Sequence, residues 1–147
     1  DGRGPRGRRG DALGRNGRIS RPGDKIAAAA DTRLRGGGRL VCDDLARCPE
    51  PAGIEGDTFK LIRRLLDQGN TWVKLTGLYN DTKVGPPTYA DSVTVARAFA
   101  TAAPTRVVWG SDWPHPTESQ ANKPNDALML DLLPGHKIGR ASCWATV

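Results

Sequence analysis

Residues 106–115 read "RVVWGSDWPH", a short apolar run that ends in a serine, an aspartate and a histidine. Two valines and a tryptophan favour a buried strand over residues 106–110. Ser111 and Asp112 follow Gly110 directly. In parallel α/β proteins the catalytic and ligand-binding residues lie at the carboxyl ends of such strands. The stretch therefore makes Asp112 the first candidate functional residue.

The segments on either side of this strand alternate between strand and helix patterns. Residues 71–77 follow a period of two, with Trp72, Lys74 and Thr76 on one face, and a short apolar run predicts another strand at 39–43. Apolar residues at helical spacing predict helices over 57–68, 89–104 and 125–133. This order is typical of right-handed βαβ units, so we expect an α/β fold with a parallel sheet.

The amino-terminal segment has a different composition from the rest of the chain. The first 40 residues carry ten glycines and 11 basic residues against four acidic ones, whereas the remaining 107 residues have a net charge of −1. Residues 1–38 are predicted to be disordered or irregular, since they have no hydrophobic period and no aromatic residue; at most residues 26–35 form a short helix. Nucleic-acid binding through this basic tail is an alternative that rests on charge alone, because no aromatic side chain is present for base stacking.

Cysteine usage and hydropathy favour a cytoplasmic protein. The three cysteines, Cys42, Cys48 and Cys143, have no CxxC spacing, which predicts isolated thiols in a reducing compartment. No apolar run has the length of a membrane span, and the basic amino terminus lacks the apolar region of a signal peptide. We therefore expect a soluble, cytoplasmic chain that does not contact membranes.

Three motifs resemble one known family. The string "TWVKLTGLY", followed by "RVVWGSDWPH", resembles the amidohydrolase-related family of TIM-barrel hydrolases, closest to its 2-pyrone-4,6-dicarboxylate lactonase branch. The string "VCDDLAR" resembles the family's Asp-His motif at an earlier strand. The resemblance covers residues 39–134 and corresponds to the last three β/α units of the barrel. It implies a partial TIM barrel at 39–134, preceded by the basic segment 1–38 and followed by an irregular tail at 135–147.

The resemblance also implies a reaction and a set of site residues. The reaction is hydrolysis of a lactone or a similar cyclic ester or amide. Asp112 would be the general base, or a ligand of a divalent metal such as zinc or manganese if one is bound. His115 would shape the substrate pocket, Lys74 would hold an anionic substrate, and Asp44 occupies the position of the family's histidine. The structural alternatives are a turn cap for Asp112 and packing for His115. For Lys74 the alternative is a structural lysine whose aliphatic part packs in the fold while its ammonium group reaches solvent.

The chain departs from the family pattern in three ways. The family's amino-terminal His-x-His pair and five of the eight β/α units have no counterpart, and Asp44 adds negative charge beside Asp43 where the family has a histidine. Similarity is lost at both ends, which suggests that these ends are translated out of frame. Three β/α units leave open strand edges. We therefore expect impaired or absent activity, and a non-catalytic, self-associating fragment is the alternative to a small-molecule hydrolase.

Overall fold

The computed structural model describes residues 16–19, Ile26, Ala30 and residues 38–133. Within them one parallel sheet contains, in spatial order, β1 (Asn16–Ile19), β2 (Arg39–Cys42), β3 (Thr71–Leu75) and β4 (Val107–Trp109). Strands β2, β3 and β4 are followed in turn by the helices α1 (Asp57–Asp67), α2 (Ala90–Ala102) and α3 (Asp126–Asp131). The predicted α/β alternation and the parallel sheet are confirmed.

Strand β3 is central among the strands that carry the candidate site. Val73 pairs with Cys42 of β2 on one side and with Val107 of β4 on the other. Burial alternates along the strand, because Val73 and Leu75 lie in the core while Trp72 and Lys74 are only half-buried. The two faces of β3 are therefore those that the period-two pattern predicts.

Helices α1 and α2 cover one face of this sheet. The aromatic rings of Phe59 in α1 and Phe99 in α2 have centroids 4.7 Å apart, so the two helices also pack against each other. Gly69 adopts a left-handed conformation (φ 88°) after α1, as expected for a residue that ends a helix. The core side chains that these helices contribute include Ile62, Leu65, Leu66, Val93, Ala96 and Phe99.

Strand β1 lies in the segment that we expected to be irregular. Its residues Asn16–Ile19 pair in parallel with Arg39–Cys42, so the expectation for 1–38 is wrong at these four positions. The physical reason is that backbone N–H and C=O groups on the edge of β2 can pair with an incoming strand whatever its side-chain pattern. Ile26 and Ala30 are helical and buried, which agrees with the short helix predicted there. The other residues of 1–37 and the tail 134–147 lie outside the described residues.

Two of the three cysteines can be placed in this fold. Cys42 at the end of β2 and Cys48 are free thiols and are buried, and burial raises the pKa of each to about 12. The prediction of isolated thiols is confirmed for this pair, whereas Cys143 lies in the undescribed tail. In the part of the chain that the structure describes, no helix is long and apolar enough to cross a membrane.

Candidate active site

The carboxyl ends of β2, β3 and β4 meet at one edge of the sheet. Because the three strands are parallel and in register, the residues that follow them are neighbours: Asp44 after β2, Thr76 after β3 and Asp112 after β4. The ends of β3 and β4 approach closely, since a Cβ on Gly110 would lie 2.8 Å from Cγ2 of Thr76. The structure thus brings together the three strand ends that the sequence singled out.

Asp112 has a strained backbone, and its side chain forms a hydrogen bond with a residue far away in the sequence. Its φ of 65° lies in the left-handed region, which non-glycine residues adopt at a cost of roughly 1–3 kcal/mol. The Tyr79 hydroxyl donates a hydrogen bond to Oδ2 of Asp112 at 2.8 Å. A turn cap would instead accept a hydrogen bond from a backbone N–H of its own turn. The contact with Tyr79 therefore favours a functional interpretation of Asp112 over a structural one.

Asp44 is held against Thr76 by two hydrogen bonds. The Thr76 hydroxyl donates to Oδ1 of Asp44 at 2.9 Å, and the Asp44 backbone N–H donates to the same hydroxyl oxygen at 3.1 Å. Burial raises the pKa of the Asp44 carboxyl, the bond from Thr76 opposes that rise, and the negative charge of Asp112 adds to it. Asp44 and Asp112 are thus electrostatically coupled at the edge of the sheet.

The backbone that presents Asp44 is a left-handed turn. Residues Asp44–Arg47 all have positive φ values, between 50° and 58°. For residues other than glycine such a conformation costs roughly 1–2 kcal/mol each. Two contacts oppose this cost: the pairing of Asp44 with Thr76 and the salt bridge from Arg47 Nε to Asp81 Oδ2 at 2.9 Å. The turn therefore depends on side-chain contacts with the segment that follows β3.

Lys74 pairs with the buried carboxylate of Asp43. The distance from its Nζ to Oδ1 of Asp43 is 3.1 Å, and the side chain of Asp43 is 1% exposed against 30% for Lys74. The expected repulsion between Asp43 and Asp44 is lowered, because each carboxylate has a partner of its own. The side chain of Lys74 stays partly exposed, so its ammonium group can still bind an anionic group.

His115 is buried behind Tyr79. Its side chain is 3% exposed, and Nε2 lies 2.9 Å from Oδ1 of Asp126, the first residue of α3. The His115 and Tyr79 rings meet edge to face with centroids 5.5 Å apart. A ring buried in this way lacks the open surface that a substrate contact requires. The position of His115 therefore favours packing behind Tyr79 over a direct contact with substrate.

Sequence reasoning did not identify Tyr79 and Asp126 as parts of the site, and it placed Thr76 at a strand end without giving it a role. For Tyr79 and Thr76 a signal was present, because both lie in "KLTGLY", within four residues of the end of β3. For Asp126 no local signal exists. It begins a helix 11 residues after His115, and an acidic residue at that position is common for helix-dipole reasons alone.

The described residues do not supply a metal site. Within residues 16–19 and 38–133 no group of three or more histidine, cysteine, aspartate or glutamate side chains is arranged to hold a metal ion. A catalytic zinc takes three protein ligands of this kind. Asp112 has a phenol as its hydrogen-bond partner, and the charges that act on Asp44 are the carboxylates of Asp112 and Asp43 and the guanidinium of Arg47. The described residues therefore do not hold a divalent metal ion by themselves, and the steps proposed for this chain involve its own side chains.

The sequence matches a family model and several characterised proteins. The model described as "Amidohydrolase" matches residues 26–141, beyond both ends of the 39–134 stretch recognised from motifs. A 4-sulfomuconolactone hydrolase of Rhizobium radiobacter is 36% identical over 95 residues, which cover 64% of this chain and 31% of that protein. A D-galactarolactone isomerase of Agrobacterium fabrum is 37% identical over 98 residues, covering 66% and 33% respectively. A 2-pyrone-4,6-dicarboxylate hydrolase of Comamonas testosteroni is 30% identical over 103 residues, covering 65% and 33%.

Solved structures support the same fold. An apo crystal structure of an Agrobacterium tumefaciens protein superposes with a TM-score of 0.65 at 27% identity, covering 84% of this chain and 44% of that one. A 2-pyrone-4,6-dicarboxylic acid hydrolase structure from Pseudomonas putida, titled putative, has a TM-score of 0.60 at 23% identity, covering 74% and 39%, and shows likeness of fold alone. These neighbours are amidohydrolase TIM barrels.

The chain spans about a third of the length of the curated relatives that it matches. Over that third, the motifs at the strand ends, the parallel sheet and the family match agree with one another. The chain therefore belongs to the amidohydrolase family, in the lactonase-like branch that includes the 2-pyrone-4,6-dicarboxylate hydrolases.

Proposed function

We propose that this chain carries part of the active site of a lactone hydrolase, with Asp112 as the general base. The observation that supports the proposal most directly is the Asp112 carboxylate at the end of β4, held by the Tyr79 hydroxyl and coupled to Asp44. The names of the matched relatives refer to two lactones and a pyrone, and two of these three proteins are hydrolases. The substrate class is therefore a small cyclic ester.

Opening a lactone requires a base beside the attacking water. In the proposed step Asp112 removes a proton from water while the water oxygen forms a bond to the carbonyl carbon. The ring C–O bond then breaks, and the ring oxygen takes the proton from Asp112. Oδ2 of Asp112 is engaged by Tyr79, which leaves Oδ1 to face the water. A carboxylate on a rigid strand end is well placed for this task.

Asp44 and Lys74 are proposed to bind the substrate. Asp44 lies at the same strand edge as Asp112, where its carboxyl group can form a hydrogen bond with a polar group of the substrate. The side chain of Lys74 is 30% exposed, so its ammonium group can bind a substrate carboxylate. Asp43 competes for this group, because Nζ of Lys74 lies 3.1 Å from Oδ1 of Asp43. The described strands supply one edge of the site, and the relatives' greater length indicates that further groups belong to a complete one.

The test is hydrolysis of a panel of small lactones by the purified protein, with and without added zinc or manganese. We expect Asp112→Asn to lower kcat/KM by roughly 10²- to 10⁴-fold, the usual contribution of a general base. Asp57→Asn, the same change on an exposed residue of α1, is the matched control and should leave the rate unaltered.

The outcomes separate the two functional classes. Full activity in Asp112→Asn would rule out Asp112 as the base. If the folded wild-type chain hydrolyses no lactone, the alternative of a non-catalytic, self-associating chain is favoured.

A further inference from the structure

We propose that Tyr79 is a positioning residue that orients the Asp112 carboxylate, and that the paired side chains of His115 and Asp126 hold the Tyr79 ring in place. The inference deepens the proposed function and rests on it for its catalytic consequence. The inference is based on contacts that connect the first residue of α3 with the residue that follows the end of β4. We call these four side chains the positioning chain: Asp126, His115, Tyr79 and Asp112.

The first link fixes which oxygen of Asp112 is free. The Tyr79 hydroxyl donates to Oδ2 of Asp112 at 2.8 Å, a length typical of a hydrogen bond to a carboxylate. Without this bond the carboxyl group could rotate and exchange its two oxygens. With it, Oδ1 keeps a constant direction relative to β4. A general base is efficient only when its acceptor atom is held near the proton that it removes.

The second link fixes Tyr79. Tyr79 is 8% exposed, and its ring meets that of His115 edge to face at an interplanar angle of 77°. Edge-to-face contacts between rings are favourable and directional. The loop that carries Tyr79 follows β3, whereas His115 follows β4, so the contact joins the loops of two neighbouring strands.

The third link connects the positioning chain to helix α3. Nε2 of His115 lies 2.9 Å from Oδ1 of Asp126, where α3 begins. The histidine is 3% exposed while Asp126 is 40% exposed, so the pair runs from the interior to the surface. Asp126 lies at the opposite end of these contacts from Asp112, so a substitution there can be observed through its effect on Tyr79.

The experiment observes Tyr79 directly and does not depend on turnover. The sequence contains two tyrosines, so protein labelled with ¹³C at tyrosine Cζ gives two signals, and Tyr79→Phe and Tyr89→Phe assign them. The asparagine in Asp112→Asn is a weaker acceptor than a carboxylate. We therefore expect the Tyr79 signal to move upfield in this variant at neutral pH, while the Tyr89 signal stays in place.

An unchanged Tyr79 signal in folded Asp112→Asn would overturn the proposal. If that variant does not fold, Asp112→Glu gives the same comparison, because it keeps the charge and displaces the carboxylate by one methylene. A shift of both tyrosine signals by the same amount would indicate a global change and would also count against a specific contact.

The anchor is tested by two aspartates of the same helix. Asp126→Ala removes the partner of His115, and we expect the Tyr79 signal to shift or broaden. Asp131→Ala, at the exposed far end of α3, is the matched control and should leave that signal unaltered. Identical spectra for the two variants would remove His115 and Asp126 from the proposed positioning chain.

Kinetics then connect the contact with catalysis. In a protein that hydrolyses a lactone, Tyr79→Phe should lower kcat roughly ten- to a hundredfold with little change in KM, the size expected for a hydrogen bond to a charged group. An unaltered kcat beside a shifted Tyr79 signal would show that the contact exists but does not serve the base. A wild-type chain without turnover would contradict the proposed function, and the spectra alone would still decide whether the contact exists.

Discussion

Asp112 shows how much a single residue depends on its surroundings. Its type and its place after an apolar strand were readable from "RVVWGSDWPH". Its hydrogen bond to a tyrosine 33 residues earlier was not, because that contact requires the parallel pairing of β3 with β4. The position of Asp112 at a strand end was therefore predictable from the sequence, whereas the orientation of its carboxylate was not.

Asp44 provides a prediction about stability and pH. The pKa of the Asp44 carboxyl is raised above its ordinary value of 3.8 in the folded protein. Asp44 therefore binds a proton more readily in the folded state than in the unfolded chain. The contribution of Asp44 to the free energy of unfolding is therefore most favourable at low pH, and it falls as pH rises from about 4 through the folded pKa. Asp44→Asn removes this loss, keeps an oxygen for the Thr76 hydroxyl and suits the left-handed backbone.

We expect Asp44→Asn to be more stable than the wild type at pH 7, with the difference shrinking towards pH 4. The measurement is the urea midpoint of both proteins over that range, with Asp57→Asn on the exposed side of α1 as the control. A difference that is constant with pH would show that burial and Asp112 do not act on Asp44 in this way.

At the scale of elements, the loop after β3 and the left-handed turn after β2 fit closely. Gly77 has φ 61°, and a Cβ there would lie 2.3 Å from Nδ2 of Asn80 and 3.2 Å from Oδ1 of Asp44. The Asn80 side chain in turn accepts a hydrogen bond from the Thr117 hydroxyl at 2.7 Å, in the loop that follows β4. Gly77 thus allows the loops of three strands to come together.

Gly77→Ala should therefore destabilise the protein more than Gly69→Ala does. Both glycines are left-handed, a conformation that costs a residue with a Cβ about 1–2 kcal/mol, but Gly69 has no atom within 4 Å of the added Cβ. At Gly77 the methyl group must also displace Asn80, which adds about 0.5–1.5 kcal/mol if the bond from Thr117 is lost.

Urea unfolding of the two glycine variants checks this difference, and the Tyr79 carbon signal reports on the site itself. The signal should move in Gly77→Ala and stay in place in Gly69→Ala. Equal losses of stability in the two variants would show that the loops relax around the added methyl group at no cost.

The helices were the most predictable elements. The amphipathic pattern that begins at Asp57 corresponds to α1 at Asp57–Asp67, and the apolar face expected around Phe99 is the buried face of α2. Side chains three or four residues apart define a helix face, so the pattern is local. The helix begins at Asp57, as the pattern predicts, and Gly56 is the residue that precedes it.

At the scale of the whole molecule, the sheet formed by the described residues has two edges without a neighbouring strand. Among the described residues β4 pairs only with β3, and β1 pairs only with β2. Open parallel edges expose unpaired backbone groups that another chain can bind. Large apolar side chains are also exposed, among them Trp113 at 75% and Leu128 at 53%. We therefore predict that the chain self-associates at micromolar concentration.

Val108→Glu tests the edge of β4. Val108 is half-buried and pairs with Lys74 in the register of the sheet, so a carboxylate there is not opposed by like charge within the fold. A charge on an edge strand disfavours pairing with another chain. Light scattering after size exclusion should show less association than in the wild type.

Val84→Glu is the matched control, because Val84 lies in a loop and is 55% exposed. It should associate as the wild type does. A wild-type protein that stays monomeric at every concentration would contradict the prediction, and equal effects of the two variants would point to net charge in place of the strand edge.

The sequence alone determined the alternation of strands and helices, the edge where the strand ends meet, and Asp112 as the candidate base. These conclusions were possible because periodicity and motifs are local properties of the chain. Only the tertiary structure decided that Tyr79 binds Asp112, that His115 is buried against Asp126, and that Asn16–Ile19 forms a strand. Each of these contacts joins residues brought together by packing or strand pairing, and such long-range contacts leave no periodic pattern in the sequence.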